Sequence, residues 1–158
     1  MKGSSLQISE MNWMQVEDFL KYDDRAVIPL GSTEQHGYLS LMVDTLIPEK
    51  LAREAAEPLG IPVFPVMPFG VAPYFSAVPG TVSLSEGTYV AFIRDFLDSL
   101  SGTGFRRFVL VNGHGGNAPG TSAASQWAAE RAGHQVKTFN WWRAPRTEAK
   151  IREVDPVG

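Results

Sequence analysis

Two apolar runs lack the polar alternation of a half-exposed strand, Ala26-Val27-Ile28-Pro29-Leu30 and Phe108-Val109-Leu110-Val111. Short unbroken apolar runs bounded by turn residues read as strands buried on both faces, as in a parallel sheet. Around them the apolar period lengthens to that of a helix. Met14, Val16, Phe19 and Leu20 place a short helix over 14–22, ahead of the polar turn Asp23-Asp24-Arg25. Leu46, Ile47, Leu51, Ala55 and Ala56 place a second over 45–59, stopped by Gly60 and Pro62. A third, over 83–100, has Ser83 and Glu86 as a capping box and Val90, Ile93, Phe96, Leu97 and Leu100 as its buried stripe, with Gly102 and Gly104 ending it. A fourth, over 118–132, packs through Ala124, Trp127, Ala128 and Arg131. Val63-Phe64-Pro65-Val66-Met67 reads as a further strand whose prolines confine it to an edge or a strand end. The second apolar run lies in a strand over 105–111, and a last strand covers 136–142. Residues 69–80, rich in Gly, Pro and aromatics, make a long irregular loop of the kind that often carries function. Strands alternating with helices imply βαβ crossovers around a mostly parallel sheet covered on both faces, an α/β fold. No repeat, low-complexity tract or linker divides the 158 residues, which therefore read as one domain.

Composition narrows the partners. The chain is 44% hydrophobic and 20% charged with a net charge of −3, and its basic clusters, Arg106-Arg107 and those within 143–152, are short. That pattern argues against a nucleic-acid footprint. The opening Met1-Lys2-Gly3-Ser4-Ser5 leads into no apolar stretch, and no run reaches the roughly 18 apolar residues of a membrane span, so a cytoplasmic protein with no membrane partner is expected. There are no cysteines, which leaves His and carboxylate as the strong metal ligands available.

Those groups follow the two apolar runs. The first run leads into Gly31-Ser32-Thr33-Glu34-Gln35-His36-Gly37, with Asp44 beyond, and the second into Asn112-Gly113-His114-Gly115-Gly116-Asn117. In an open parallel sheet, loops at the carboxyl ends of the strands converge on one crevice, so Glu34, His36, Asp44 and His114 can meet there. Two imidazoles and two carboxylates are a ligand set for a divalent ion. Glu34 and His36, two apart, project to the same side if the backbone is extended. Each residue also has a plainer reading. His36 fits a hydrogen-bonded structural histidine, and Asp44 before Thr45 fits a helix N-cap. The glycine-rich 112–117 segment could cradle a phosphate, although it matches neither G-x-G-x-x-G nor the P-loop. His134, among turn residues, reads as a solvated histidine. Tyr74, Phe75, Trp141 and Trp142 are candidates to line a substrate pocket, or to pack in the core or between subunits.

Glu34-Gln35-His36-Gly37 followed by Val43-Asp44-Thr45, then Pro79-Gly80-Thr81, then Asn112-Gly113-His114-Gly115-Gly116-Asn117, resembles the creatininase family of metal-dependent amidohydrolases, in order and over nearly the whole chain. The resemblance implies a three-layer α/β/α sandwich and hydrolysis of a non-peptide or cyclic C–N bond in a small-molecule amide. It also implies a homo-oligomer, typically a hexamer, and a dinuclear site holding zinc, manganese or iron. It assigns Glu34, Asp44 and His114 to one ion, and His36 with a bridging Asp44 to the second.

Three departures accompany the resemblance. Creatinine-hydrolysing members commonly place the bridging Asp eleven positions after the Glu, against ten here, and the intervening Tyr38-Leu39-Ser40-Leu41 lacks their Pro-His, which argues against creatinine itself. Their Glu two residues after the second-motif His is Gly116 in this chain. Members with that glycine draw the missing carboxylate from a segment beyond the strand that Trp141 and Trp142 would end. Typical members also continue for roughly another half-length beyond the position of Gly158, so the chain is expected to lack the family's C-terminal portion. The alternatives to an amidohydrolase are a catalytically silent metal-binding or assembly module of the same fold, a relative acting on a formamide or a modified peptide, and a phosphate or nucleotide binder using Gly113 to Asn117.

Overall fold

A computed structural model describes residues 6–155, so the opening Met1 to Ser5 and the tail Pro156-Val157-Gly158 lie outside the described residues. Three parallel strands, β1 (Arg25–Leu30), β2 (Arg107–Asn112) and β3 (Gln135–Asn140), form a sheet in chain order. Leu30 pairs with Asn112 and Asn112 with Asn140, which aligns the carboxyl ends of all three strands at one edge. Helix α1 (Trp13–Leu20) precedes β1, α2 (Val43–Ala56) and α3 (Glu86–Thr103) connect β1 to β2, and α4 (Ala118–Ala129) connects β2 to β3.

The pleat divides the apolar residues between two cores. Ala26, Ile28 and Leu30 of β1, with Phe108 and Leu110 of β2, pack against Tyr89, Ile93, Leu97, Ala124 and Trp127 of α3 and α4. Val27 and Val111, on the opposite face, pack against Ala52 and Ala56 of α2 together with Ile61 and Val63. Helices therefore lie on both faces, giving the α/β/α layering. Each large side chain so buried contributes about 1.5–3 kcal/mol from apolar transfer. Among the described residues no helix is long and apolar enough to cross a membrane.

Several local expectations change. Val63 to Met67 is not a continuous strand. It runs along the outer edge of β1 through isolated bridges at Val27–Val63 and Leu30–Met67, because Pro62, Pro65 and Pro68 cannot donate to a ladder. Helix α3 starts at Glu86, and its cap is Ser85, whose hydroxyl accepts from the Thr88 amide at 3.2 Å, not Ser83. Ser83 instead accepts the Ala72 amide at 2.9 Å, tying the 69–80 loop to the start of the helix. Strand β3 ends at Asn140, and Trp141–Arg143 form a 3₁₀ turn leading into a helix the apolar pattern did not reveal, α5 (Pro145–Val154). With no buried residue, α5 leaves no apolar stripe to read. His134 is packed rather than solvated, its ring edge-to-face with Trp127 at 5.1 Å and its Nε2 2.8 Å from the Ser101 hydroxyl.

Candidate metal centre

The centre lies at the edge where the three strands end. Beyond Leu30 the chain passes through Ser32, whose carbonyl accepts the Thr45 hydroxyl at 2.8 Å, and this bond fixes the first turn of α2 against the loop. Asp44 lies inside that first turn. Met42 occupies the cap position, so Asp44 is not the N-cap its sequence setting allowed, and its carboxylate is turned inward. Pro48, four residues on, has no N–H to return to the Asp44 carbonyl. Gly113 packs against that carbonyl and the Pro48 ring so closely that a Cβ at 113 would overlap both.

The four side chains singled out by the motifs converge. His36 Nε2 lies 3.1 Å from Asp44 Oδ1, and His114 Nδ1 lies 2.8 Å from Asp44 Oδ2 and 3.3 Å from Glu34 Oε1. One carboxylate thus faces an imidazole with each oxygen. Ligand atoms of Glu34, His36 and Asp44 fall within 4.8 Å of one another. Glu34, Asp44 and His114 are buried, and His36 is half-buried. Burial, aided by the Asp44 carboxylate, pushes the Glu34 carboxyl above its ordinary range against the pull of His114. Burial opposes charge on His114, but the hydrogen bonds to Asp44 and the Val71 carbonyl, with the two carboxylates, outweigh it and raise its pKa.

The outer nitrogens of both rings are occupied. His36 Nδ1 is 3.1 Å from the Glu34 carbonyl, and His114 Nε2 is 3.0 Å from the Val71 carbonyl. Each imidazole therefore faces acceptors at both nitrogens, while a neutral imidazole has one N–H. A cation among the carboxylates removes the conflict: the outer N–H groups donate to the two carbonyls, and the inner nitrogens, His36 Nε2 and His114 Nδ1, become lone-pair donors. The residues present thus fit a divalent ion.

The glycines around His114 act through space and not through a positive φ, which none of 113, 115 and 116 has. A Cβ at 116 would fall on the Val71 carbonyl oxygen, and Gly113 is as constrained, whereas Gly115 has open space. Three amides of the segment are already engaged within the fold. Gly113 N–H donates to Leu30, His114 N–H to the Asn112 side chain, and Asn117 N–H to the His114 carbonyl. Reading the sequence alone missed the Val71 carbonyl and the amides of Asn112, Asn117 and Asn140; of these, only the asparagines that open and close the second motif carried a signal.

Tyr74 and Phe75 lie in a 3₁₀ turn, Pro73–Phe75, just after Val71, with Tyr74 95% exposed and Phe75 half-buried. Trp141 and Trp142, half-buried and edge-to-face at 6.2 Å, follow the end of β3. All four stand at the same edge of the sheet as the centre.

A parallel sheet with helices on both faces, bearing a carboxylate–imidazole cluster at its strand ends, defines the class. A family model described as Creatininase, creatinine amidohydrolase, matches residues 9–158, and the chain belongs to the creatininase family, whose members are hydrolases. Creatinine amidohydrolase of Pseudomonas putida is 29% identical over 99% of this chain and 65% of its own length. 3-dehydro-scyllo-inosose hydrolase of Thermotoga maritima is 29% identical over 96% of this chain and 50% of its own. Mycofactocin precursor peptide peptidase of Mycolicibacterium smegmatis is 36% identical over 62% of this chain and 42% of its own. A crystal structure of creatinine amidohydrolase superposes with a TM-score of 0.85 at 27% identity, covering 99% of this chain and 65% of that one. The chain thus spans between about half and two-thirds of the length of the first two curated relatives.

Proposed function

We propose that this chain carries the metal centre of a hydrolase that cleaves a C–N bond in a small non-peptide or cyclic amide. The observation behind this reading is the double-acceptor environment of His36 and His114 around one shared carboxylate. Glu34, Asp44 and His114 would hold one ion, and His36 with the second oxygen of Asp44 the other. Related structures described as a Zn-Zn type and as an Mn form support zinc, with manganese as the alternative. A bound divalent ion supplies Lewis acidity and a water of lowered pKa. The chain's own residues orient the rest: the Glu34 and Val71 carbonyls fix the two rings, and Thr45 on the Ser32 carbonyl fixes the helix that carries Asp44.

Tyr74, Phe75, Trp141 and Trp142 would border the substrate. The Tyr38 to Met42 loop, without the Pro-His of creatinine-hydrolysing members, favours an amide other than creatinine. Exposed Trp13, Tyr38 and Leu39 suit burial between copies in a homo-oligomer. Elemental analysis after zinc or manganese loading, together with turnover on a panel of cyclic amides, formamides and modified peptides, tests the reading. About two ions per chain with turnover lost on chelation supports it. One ion or fewer with no turnover supports a silent module, which the departure at Gly116 would explain.

A further inference from the structure

We propose that Asn117 is a positioning residue that, through the Val71 carbonyl, holds His114 with its Nδ1 presented to a metal ion, an inference resting on the metal-centre reading above. Asn117 is fully buried, and its amide is used at both ends. Its Nδ2 donates to the Gly31 carbonyl at 3.1 Å and to Asn112 Oδ1 at 3.2 Å, and its Oδ1 accepts the Val71 amide at 3.4 Å. Val71 in turn offers its carbonyl to His114 Nε2. The residues flanking Val71 are tied elsewhere, Gly70 through its carbonyl to the Leu84 amide and Ala72 to Ser83, and Asn117 reaches Val71 itself. Asn112 extends the set, taking the His114 amide on its Oδ1 at 3.3 Å and donating its Nδ2 to Asn140 at 2.9 Å. Backbone and ring of His114 are thus held by one connected group of side-chain amides that joins the ends of all three strands.

The consequence is chemical. When Nδ1 serves as a ligand beside Glu34 and Asp44, the single N–H of a neutral His114 sits on Nε2 and donates to the Val71 carbonyl. If the Val71 carbonyl moves away, that N–H loses its acceptor in the loaded site, and the competing Nδ1–H form, which donates to Asp44 and blocks the nitrogen as a ligand, gains by comparison. Gly116 belongs to the same device, since a Cβ there would displace the Val71 carbonyl from His114. Only a carboxamide both donates to Gly31 and Asn112 and accepts from Val71, which accounts for asparagine at 117.

The test is nitrogen–proton NMR of imidazole-labelled, zinc-loaded protein, paired with zinc titration. In the zinc-loaded wild type the His114 Nε2–H gives a hydrogen-bonded signal that exchanges slowly with water. Asn117→Ser speeds exchange of that proton and weakens zinc binding about 10- to 100-fold, the usual size of an outer-shell loss, with the His36 Nδ1–H signal unchanged. A merely structural role would disturb both histidine signals alike and would not single out the His114 Nε2–H. Should Asn117→Ser fail to fold, the exchange rate of the wild-type His114 Nε2–H still decides. A fast-exchanging His114 Nε2–H in the zinc-loaded wild type, or a folded Asn117→Ser protein with unchanged exchange and zinc affinity, overturns the proposal. Absence of zinc binding by the folded wild type overturns the metal reading instead.

Discussion

Replacing Asp44 with asparagine keeps the shape of the side chain and removes the one charge that faces both imidazoles, at 3.1 and 2.8 Å. The gross attraction lost is large: two unit charges about 4 Å apart interact by about 4 kcal/mol at an effective dielectric near 20, and a divalent ion doubles this. Part returns, because the amide oxygen still coordinates and Glu34 loses a repelling neighbour. A net loss of about 3 kcal/mol, on the order of 100-fold in affinity, remains. Thermal unfolding with zinc converts this into a measurable shift. At a free zinc concentration about 1,000 times the wild-type Kd, binding stabilises the folded state by about 4 kcal/mol, and a 100-fold weaker site retains roughly 1.4 kcal/mol. For a domain of this size the difference is about 5–11 °C in Tm. Without zinc, Asp44→Asn should unfold close to the wild type, because it relieves a carboxylate pair while removing an acceptor from His114. A variant with the full zinc-induced shift would refute the placement of Asp44 between two cation positions.

Three further outcomes follow from the packing and charge. Gly113→Ala pushes a methyl group into the Asp44 carbonyl and the Pro48 ring; urea unfolding should show a loss of about 1–3 kcal/mol, and zinc affinity should fall with it. Trp127→Ala empties a fully buried site that packs on Phe108 and His134, donates to Asp98 at 2.7 Å and lies under Arg131, and should cost about 3–5 kcal/mol by the same assay. The hydrogen bond from Arg25 holds the Asp23 carboxyl below its ordinary 3.8, so its stabilisation is complete above that value and is lost as pH falls through the lower, folded-state pKa. Asp23→Asn should therefore be less stable than the wild type by about 1 kcal/mol or less at neutral pH, with the gap closing under acid in pH-resolved urea titrations.

Much of the fold was legible because both continuous apolar runs are strands buried between helices, and Ile93 and Leu97 repeat at helical spacing. What escaped depends on non-local facts. The prolines of 62–68 left the apolar segment there as a bridged edge. Ser83 lost the cap to Ser85 because the Ala72 amide, distant in sequence, claimed its hydroxyl. Helix α5 buries nothing and so has no periodic apolar face. At the centre, motif spacing brought Glu34, His36, Asp44 and His114 into view together, because their loops leave the same edge of a parallel sheet. The Val71 carbonyl was illegible, since a backbone acceptor leaves no mark in the side-chain sequence, and the Asn112–Asn117–Asn140 chain exists only once strand register is known.

The central claim, a divalent ion shared by the four motif side chains, is tested most directly by anomalous diffraction at the zinc edge from zinc-loaded crystals. The account predicts a peak bounded by Glu34, Asp44, His114 Nδ1 and His36 Nε2. Well-ordered crystals with no peak there, or with zinc bound at a site that excludes Asp44 and His114, would contradict it.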